Sequence, residues 1–436
     1  MVRTPERRVH ANSCMEPPAG GRYLSRTPAS LEGDTHDSFD MPAMNAAVRR
    51  SRIGFLAARI RLTYRLASAV VVLAACRETR DVALKDSPAL TQAPPSDSPT
   101  LVPVDSVVLA ESDSLTLGLP SSLVVTGGRE FYVSDVGLSQ VVHFGRDGRP
   151  LGRVGRKGSG PGEYKAPTWL TLLGDSILLV KNEARLRVMA FATDSGRFLW
   201  ERLFPGQTSS MHVDGSRMYV GLVDLPRRGS IGVMATGPGS SAPSDLGAIR
   251  VIGPLPELFA RVPQAASVFG TVEVVAFGDT VASAYEVSNH VYLTRVDGSR
   301  GVILDSIDVP RIARRGARID LFHQVTNDQA SAMAAVYKSS IPFELARLSS
   351  GMLAYITFDP VIENQRITGT LFLSVIDPVR RRVCADALVP GQTDPPARAA
   401  FRGDTLFILS QEVVSQDQSR SIVRGYRVDV SRCRWR

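Results

Sequence analysis

Phe131–Pro167 reads "FYVSDVGLSQVVHFGRDGRPLGRVGRKGSGPGEYKAP". A β-rich run ends in Asp135, a short turn leads to Val141–Phe144, and Asp147-Gly148 reverses the chain again. Asp-Gly between β-branched or aromatic runs is a strong hairpin signal, because the turn needs positive φ. The stretch closes on Gly155, Gly158, Gly160 and Gly162 around Arg156 and Lys157. That could be read as a phosphate cradle. A P-loop, however, needs Gly-Lys-Ser/Thr opening a helix whose amides face the phosphate. Here the lysine precedes the last glycines and no helical pattern follows Pro161. No βαβ unit with an acidic ribose ligand is visible either. The glycines are expected to supply positive φ where the chain passes from one sheet to the next.

The same rhythm recurs along the body. "REFYVSDV", "SILLVKNE", "RMYVGLVD", "TVASAYEV", "MLAYITFD" and "TLFILSQE" each follow a small turn, from Gly127-Gly128 to Gly403-Asp404. An apolar strand lies before the turn ("SLVV", "WLTLL", "VEVVAF", "AAFRG") and two more strands follow. Six such four-stranded units are counted. Blades of a propeller take roughly 40–50 residues, so the longer intervals carry insertions. A seventh sheet would have to come from 224–268 or 310–349. Near-continuous apolar runs such as "ILLV" suit strands buried on both faces. The expected fold is all-β: a six-bladed β-propeller of four-stranded antiparallel blades over 101–436. A strand near 102–109 is expected to close the ring by pairing with the last unit, leaving no open edge.

Asp135, Val141, Phe144, Asp147, Gly148, Gly155, Gly158, Gly160, Gly162, Glu163, Tyr164 and Pro167 together resemble the NHL repeat of six-bladed propellers. One repeat matches closely; the other units match in strand–turn rhythm.

The N-terminal part carries an address. Arg61 and Arg65 flank the apolar run Leu66–Leu73, which is too short for the roughly 20 residues that span a bilayer. A positive flank, a short apolar core and small residues describe a secretory signal. The run ends in Leu73-Ala74-Ala75-Cys76, which resembles the bacterial lipobox. The resemblance implies cleavage before Cys76 and lipid on that cysteine, hence a membrane partner. Arg77 stands where an aspartate would favour the inner membrane, so the outer membrane is expected. The expected organisation is an extension or misplaced start over 1–43, a signal over 44–75, a Pro/Ser/Asp-rich tether over 76–100, and the propeller.

The 436 residues carry a formal charge of +8. Residues 1–76 hold 11 Arg and 6 acidic residues, and the remainder holds 40 cations and 37 anions. The body is near neutral, so charge gives no support for a nucleic-acid partner.

Chemistry is sparse. His10, His36, His143, His212, His290 and His323 never pair at HxH or HExxH spacing. No GxSxG elbow and no calcium loop occurs. No catalytic residue and no cofactor is assigned, though a metal assembled from several blades at the central channel stays open. Asp135, Asp175, Asp279 and Asp404 recur at turns, where Asp commonly bonds nearby backbone amides. The insertion 310–349 clusters Arg311, Arg314, Arg315 and Arg318, candidate ligands for an anionic sugar, a phosphate or an acidic protein patch. A short helix within it, capped by Asn327 or Asp328, is expected, and the Gly/Pro/Ser-rich 224–268 reads as flexible. Cys384 and Cys433 fall after the third-strand turns of units five and six, and an exported compartment permits their disulfide. Equivalent outer strands of neighbouring blades stand far apart for bridged Cα atoms, which lie within about 7 Å. Two functions follow: a non-catalytic module binding a protein or carbohydrate partner, or a metal-dependent enzyme of the lyase or lactonase type.

Overall fold

The computed structural model describes residues 97–436, except 113–114, 204–207, 216, 223–229, 236–249, 254–271, 287, 298–299, 318–336, 364–365, 391–397 and 416–417. The expected boundaries at 43/44 and 75/76 and the predicted helix after Asn327 lie outside the described residues.

The chain opens with β1 (Thr100–Leu109). Blade one is β2 (Pro120–Val125), β3 (Phe131–Asp135), β4 (Gln140–Phe144) and β5 (Pro150–Arg153). Two short strands, β6 (Arg156–Lys157) and β7 (Glu163–Tyr164), pair in parallel within the link to blade two. Blade two is β8 (Pro167–Leu173), β9 (Ile177–Asn182), β10 (Arg187–Ala192) and β11 (Phe198–Leu203); blade three is β12 (Thr208–Asp214), β13 (Arg217–Leu222), β14 (Ile231–Ala235) and β15 (Arg250–Gly253). Blade four is β16 (Val272–Phe277), β17 (Thr280–Tyr285), β18 (His290–Asp297) and β19 (Arg300–Asp308). Blade five is β20 (Ile341–Arg347), β21 (Leu353–Glu363), β22 (Arg366–Asp377) and β23 (Arg382–Leu388); blade six is β24 (Arg398–Arg402), β25 (Thr405–Ser415) and β26 (Gln418–Asp429), with β1 as its fourth strand. The fold is a six-bladed β-propeller of antiparallel four-stranded sheets.

Closure is by register. β1 runs antiparallel to β26 from Thr100↔Asp429 to Leu109↔Ser421, so the last blade is built from both ends of the propeller. Gly148 adjoins this closure. Its φ is +80°, and a Cβ there would stand 2.1 Å from the Val108 carbonyl oxygen, so the Asp147-Gly148 turn can approach β1 only with glycine.

The first strands of neighbouring blades, β2, β8, β12, β16, β20 and β24, contact one another in a closed ring around the axis. Blade strands bury both faces. In β3, Tyr132 packs with Leu178, Val180 and Met189 of blade two, while Phe131 and Val133 pack with Phe407 and Leu409 of blade six. In β9, Leu178 faces blade one and Leu179 joins Met211 and Val220 of blade three. The core is thus a set of inter-blade layers, which is why "ILLV" shows no alternation.

One expectation needs correction. The segment 224–268 is not all loop: β14 and β15 lie in it and complete blade three. They supply no seventh sheet. "IGVMA" is a short apolar strand hidden between Gly- and Pro-rich runs, which masked it.

Candidate functional site

The glycine-rich turn binds its own side chain. Ser159 N and Gly160 N donate to Glu163 Oε2 at 2.8 and 2.7 Å, and Arg156 Nε donates to Oε1 at 2.6 Å. These bonds, the Gly160 amide first, pull the Glu163 carboxyl down to about 2. Gly155 and Gly162 do have positive φ, but a Cβ on Gly158 would stand 2.1 Å from Glu163 Oε2. The loop therefore resembles a phosphate nest because it holds a carboxylate, and that carboxylate is internal. Tyr164, fully buried, ties the turn down: its hydroxyl donates to the Val154 carbonyl and accepts from Val141 N.

The four arginines of 310–349 are not brought together as one anion site. Arg314 is buried and its Nε lies 3.2 Å from Asp386 Oδ1, with further bonds to Asn289 Oδ1 and the Val309 carbonyl. Arg315 pairs with Asp359 at 3.6 Å and donates to the carbonyls of Tyr337 and Pro360. Arg311 is exposed, and Arg318 lies outside the described residues. Asp386 also receives the backbone N–H groups of Ile312, Ala313 and Arg314. Two of the four side chains thus pin the root of the insertion to blade five.

The turn aspartates do similar work. Asp135 receives the amides of Gly118, Leu119 and Leu138. Asp175 receives Gly127 N, and Asp404 receives Ser349 N, each across to a neighbouring blade.

Cys384 and Cys433 form a disulfide with Cα atoms 5.6 Å apart. Cys433 does not sit on an outer strand, which removes the distance objection. It lies in the tail beyond β26, which returns to blade five and pairs Arg436 with Val383 through bonds of 2.9 and 3.0 Å. Cys76 lies outside the described residues.

What the axis does gather is a constellation that sequence reading missed. Glu273 stands near the start of β16, Glu344 in β20 and Arg398 at the start of β24, the inner strands of blades four, five and six. Arg398 Nε donates to the Ser121 carbonyl of blade one at 2.6 Å. Its guanidinium lies over Trp169 of blade two at 5.3 Å and Phe343 of blade five at 5.5 Å from the ring centroids. The arginine therefore crosses the mouth of the channel at the end where the inner strands begin. Glu273 is 3% exposed; Glu344, Arg398 and Trp169 are half-buried.

Burial dominates the electrostatics. It pushes the Glu344 carboxyl up to about 8 against the pull of Arg398, and holds Glu273 well above the usual carboxylate range, with repulsion from Glu344 and Glu286 adding to it. Burial also lowers Arg398. Among the described residues, no hydrogen bond or ion pair joins these three side chains to one another. They sense one another through the field. The sequence signal was a glutamate interrupting an apolar inner strand, in "VEVVAF" and in "FELA".

A pH dependence follows. Glu344 takes up a proton on folding, because its folded pKa exceeds the unfolded value of about 4.3. Its contribution is full below that value and lost as pH rises toward about 8. His212 acts oppositely: burial lowers it to about 4, so its contribution is lost as pH falls below about 6.5. The difference between variant and wild type isolates Glu344. The melting temperature of Glu344→Gln relative to wild type is expected to rise by about 3–6 °C between pH 5.5 and 8.5, read by calorimetry. A difference flat across that range would contradict the assignment.

The described histidines do not converge. His143 in β4 stacks on Tyr132 and contacts Glu130 at 2.9 Å, His212 is in β12, and His290 is in β18. Among the described residues no group of three or more His, Cys, Asp or Glu side chains is arranged to hold a metal.

Fold and site define a six-bladed propeller with an ionisable cluster at its channel mouth. No protein-family model and no curated protein matches the chain. Among solved structures, a member of the DUF4221 family from Bacteroides vulgatus is similar at TM-score 0.52 and 11% identity, over 76% of this chain and 99% of that one. A protein described as exported, from Bacteroides fragilis, aligns at TM-score 0.49 and 14% identity over 78% and 98%. Virginiamycin B lyase from Staphylococcus aureus aligns at TM-score 0.40 and 12% identity over 73% and 98%. At such identities the likeness is one of fold.

Proposed function

We propose that this chain is a lipid-anchored protein of the cell envelope whose NHL-like propeller is a non-catalytic binding module, taking its ligand at the channel mouth. The observation that carries the reading is the approach of Glu273, Glu344 and Arg398 from three rigid inner strands without pairing to one another. Buried polar groups ordinarily find partners, and a set whose members are not paired with one another suits a bound molecule or ordered water. The lipobox at Cys76 and the Pro/Ser-rich segment after it support anchoring and a tether, with the outer membrane as the site. The partner class is protein or carbohydrate, and nucleic acid has no support from charge. Metabolic labelling with an alkyne fatty acid tests the anchor: the full chain takes up label in a bacterial host and Cys76→Ser does not. Equal labelling of the two would remove the anchor from the account.

A second reading is favoured by the two carboxyl groups on adjacent inner strands: a metal-dependent enzyme of the lyase or lactonase type. Elemental analysis of untagged protein separates the two. One calcium, zinc or iron per chain, lost in Glu273→Gln, supports the enzyme; its absence from protein prepared with those ions present supports the binding module.

A further inference from the structure

We propose that the channel mouth accepts a compact zwitterion, an amino acid or a short peptide, with its carboxylate on Arg398 and its ammonium between Glu273 and Glu344. This rests on the channel mouth being the binding site and names the chemistry it recognises.

The guanidinium is already immobilised. It lies over the Trp169 and Phe343 rings, and its Nε is held by the Ser121 carbonyl. Its terminal nitrogens make no hydrogen bond among the described residues. A planar fork held by aromatic rings and by its Nε hydrogen bond suits a bidentate carboxylate on its terminal nitrogens. On the opposite side of the charge balance stand Glu273, almost wholly buried, and Glu344. Neither has a hydrogen bond or ion pair among the described residues, although Lys181 and Arg398 act on Glu273 through the field. Lys181 is engaged elsewhere, with Glu183 at 2.7 Å and with the Thr208 carbonyl. Two carboxyl groups and one guanidinium, unpaired with one another in a half-dry site, suit a small molecule that carries both an ammonium donor and a carboxylate acceptor. A purely anionic ligand would leave both buried carboxyls without a polar partner, ionised or not, and a purely cationic one would be repelled by Arg398.

The groups that bear on the pair are Glu286, Lys181 and Arg398, besides each other. Burial raises both carboxyls, Glu344 to about 8. An ammonium placed between them selects the ionised form, so binding must expel a proton.

The test is titration calorimetry of the chain from Val82 onward, the unit that contains all six blades. Probes are the twenty amino acids, D-alanine and L-alanyl-L-alanine, with N-acetyl-L-alanine, L-alanine methyl ester and glucose as controls. Heats are compared in two buffers of different ionisation enthalpy at pH 7. The expected result is binding of at least one zwitterion with release of about one proton. Removing either its ammonium or its carboxylate should weaken that zwitterion at least tenfold. Arg398→Lys should weaken it similarly, and Glu344→Gln should reduce the proton release, both with far-ultraviolet circular dichroism unchanged. Glucose binding without proton release, or equal binding of the N-acetyl form, would overturn the zwitterion while leaving the channel mouth as a site. Binding of a zwitterion that Arg398→Lys and Glu344→Gln both leave unchanged would remove the site itself. No binding of any probe at 5 mM would overturn the proposal.

Discussion

Asp386→Ala is expected to lower the stability of the propeller by about 3–5 kcal/mol. Asp386 is wholly buried in β23 at a left-handed φ of 59°. Its carboxylate receives three consecutive backbone N–H groups from Ile312 to Arg314 and the Arg314 Nε, and Ser374 Oγ lies 3.3 Å away. Removing it leaves a buried guanidinium whose remaining acceptors, Asn289 Oδ1 and the Val309 carbonyl, cannot offset its charge. An uncompensated buried charge, more than the lost attraction, sets the size of the effect. Asp386→Asn keeps a residue tolerant of positive φ and one acceptor, so it should fall between alanine and wild type. Urea denaturation at neutral pH measures both. An alanine variant within about 1 kcal/mol of wild type would mean that Arg314 finds another partner, and that the root of the 310–349 insertion is not held as described.

Loss of the Cys384–Cys433 bond is the second large effect. The bond closes 49 residues, and a loop of that size restricts the unfolded chain by about 4 kcal/mol in the chain-entropy account, with 2–4 kcal/mol typical of measured bridges. The tail that it fixes also pairs Arg436 with Val383, lays Trp435 against Arg382 at 4.6 Å and donates Arg434 N to the Asp97 carbonyl just before β1. The bond therefore ties blades five and six at the seam where both ends of the propeller meet. The double variant Cys384→Ser/Cys433→Ser should melt about 5–10 °C below wild type. Dithiothreitol should move wild type to the variant's temperature and leave the variant unchanged. Equal melting of oxidised wild type and variant would show that β1–β26 pairing holds the seam without the bridge.

Legibility in the sequence followed the range of the contacts. Asp-Gly turns and apolar runs report on neighbours a few residues away, and from them the six units and the closing strand at 102–109 could be read. β14 escaped because five apolar residues between Gly- and Pro-rich runs carry little local signal. The channel mouth escaped for a different reason. Glu273 and Arg398 are separated by two blades of sequence and approach only because inner strands ring one axis. A glutamate inside "VEVVAF" was the available hint, since a charge in a strand buried on both faces needs a reason. The arginines of "PRIARRGAR" illustrate the converse: their clustering in sequence was visible, but Asp359 and Asp386, which occupy two of them, lie far along the chain in blade five. Glu163 sat in plain view beside the glycines, and its negative charge, the same sign as a phosphate's, was the clue to what the loop holds.

The central claim is that the channel mouth is built with space for a ligand between Glu273, Glu344 and Arg398. A crystal structure of the chain from Val82 onward, at a resolution that shows ordered water, tests it most directly. The account predicts a bound molecule or a water cluster bridging all three side chains, with the guanidinium still over the Trp169 and Phe343 rings. Direct contact of Arg398 with both carboxylates, with nothing between them, would contradict it and reduce the cluster to a plug that seals the propeller axis.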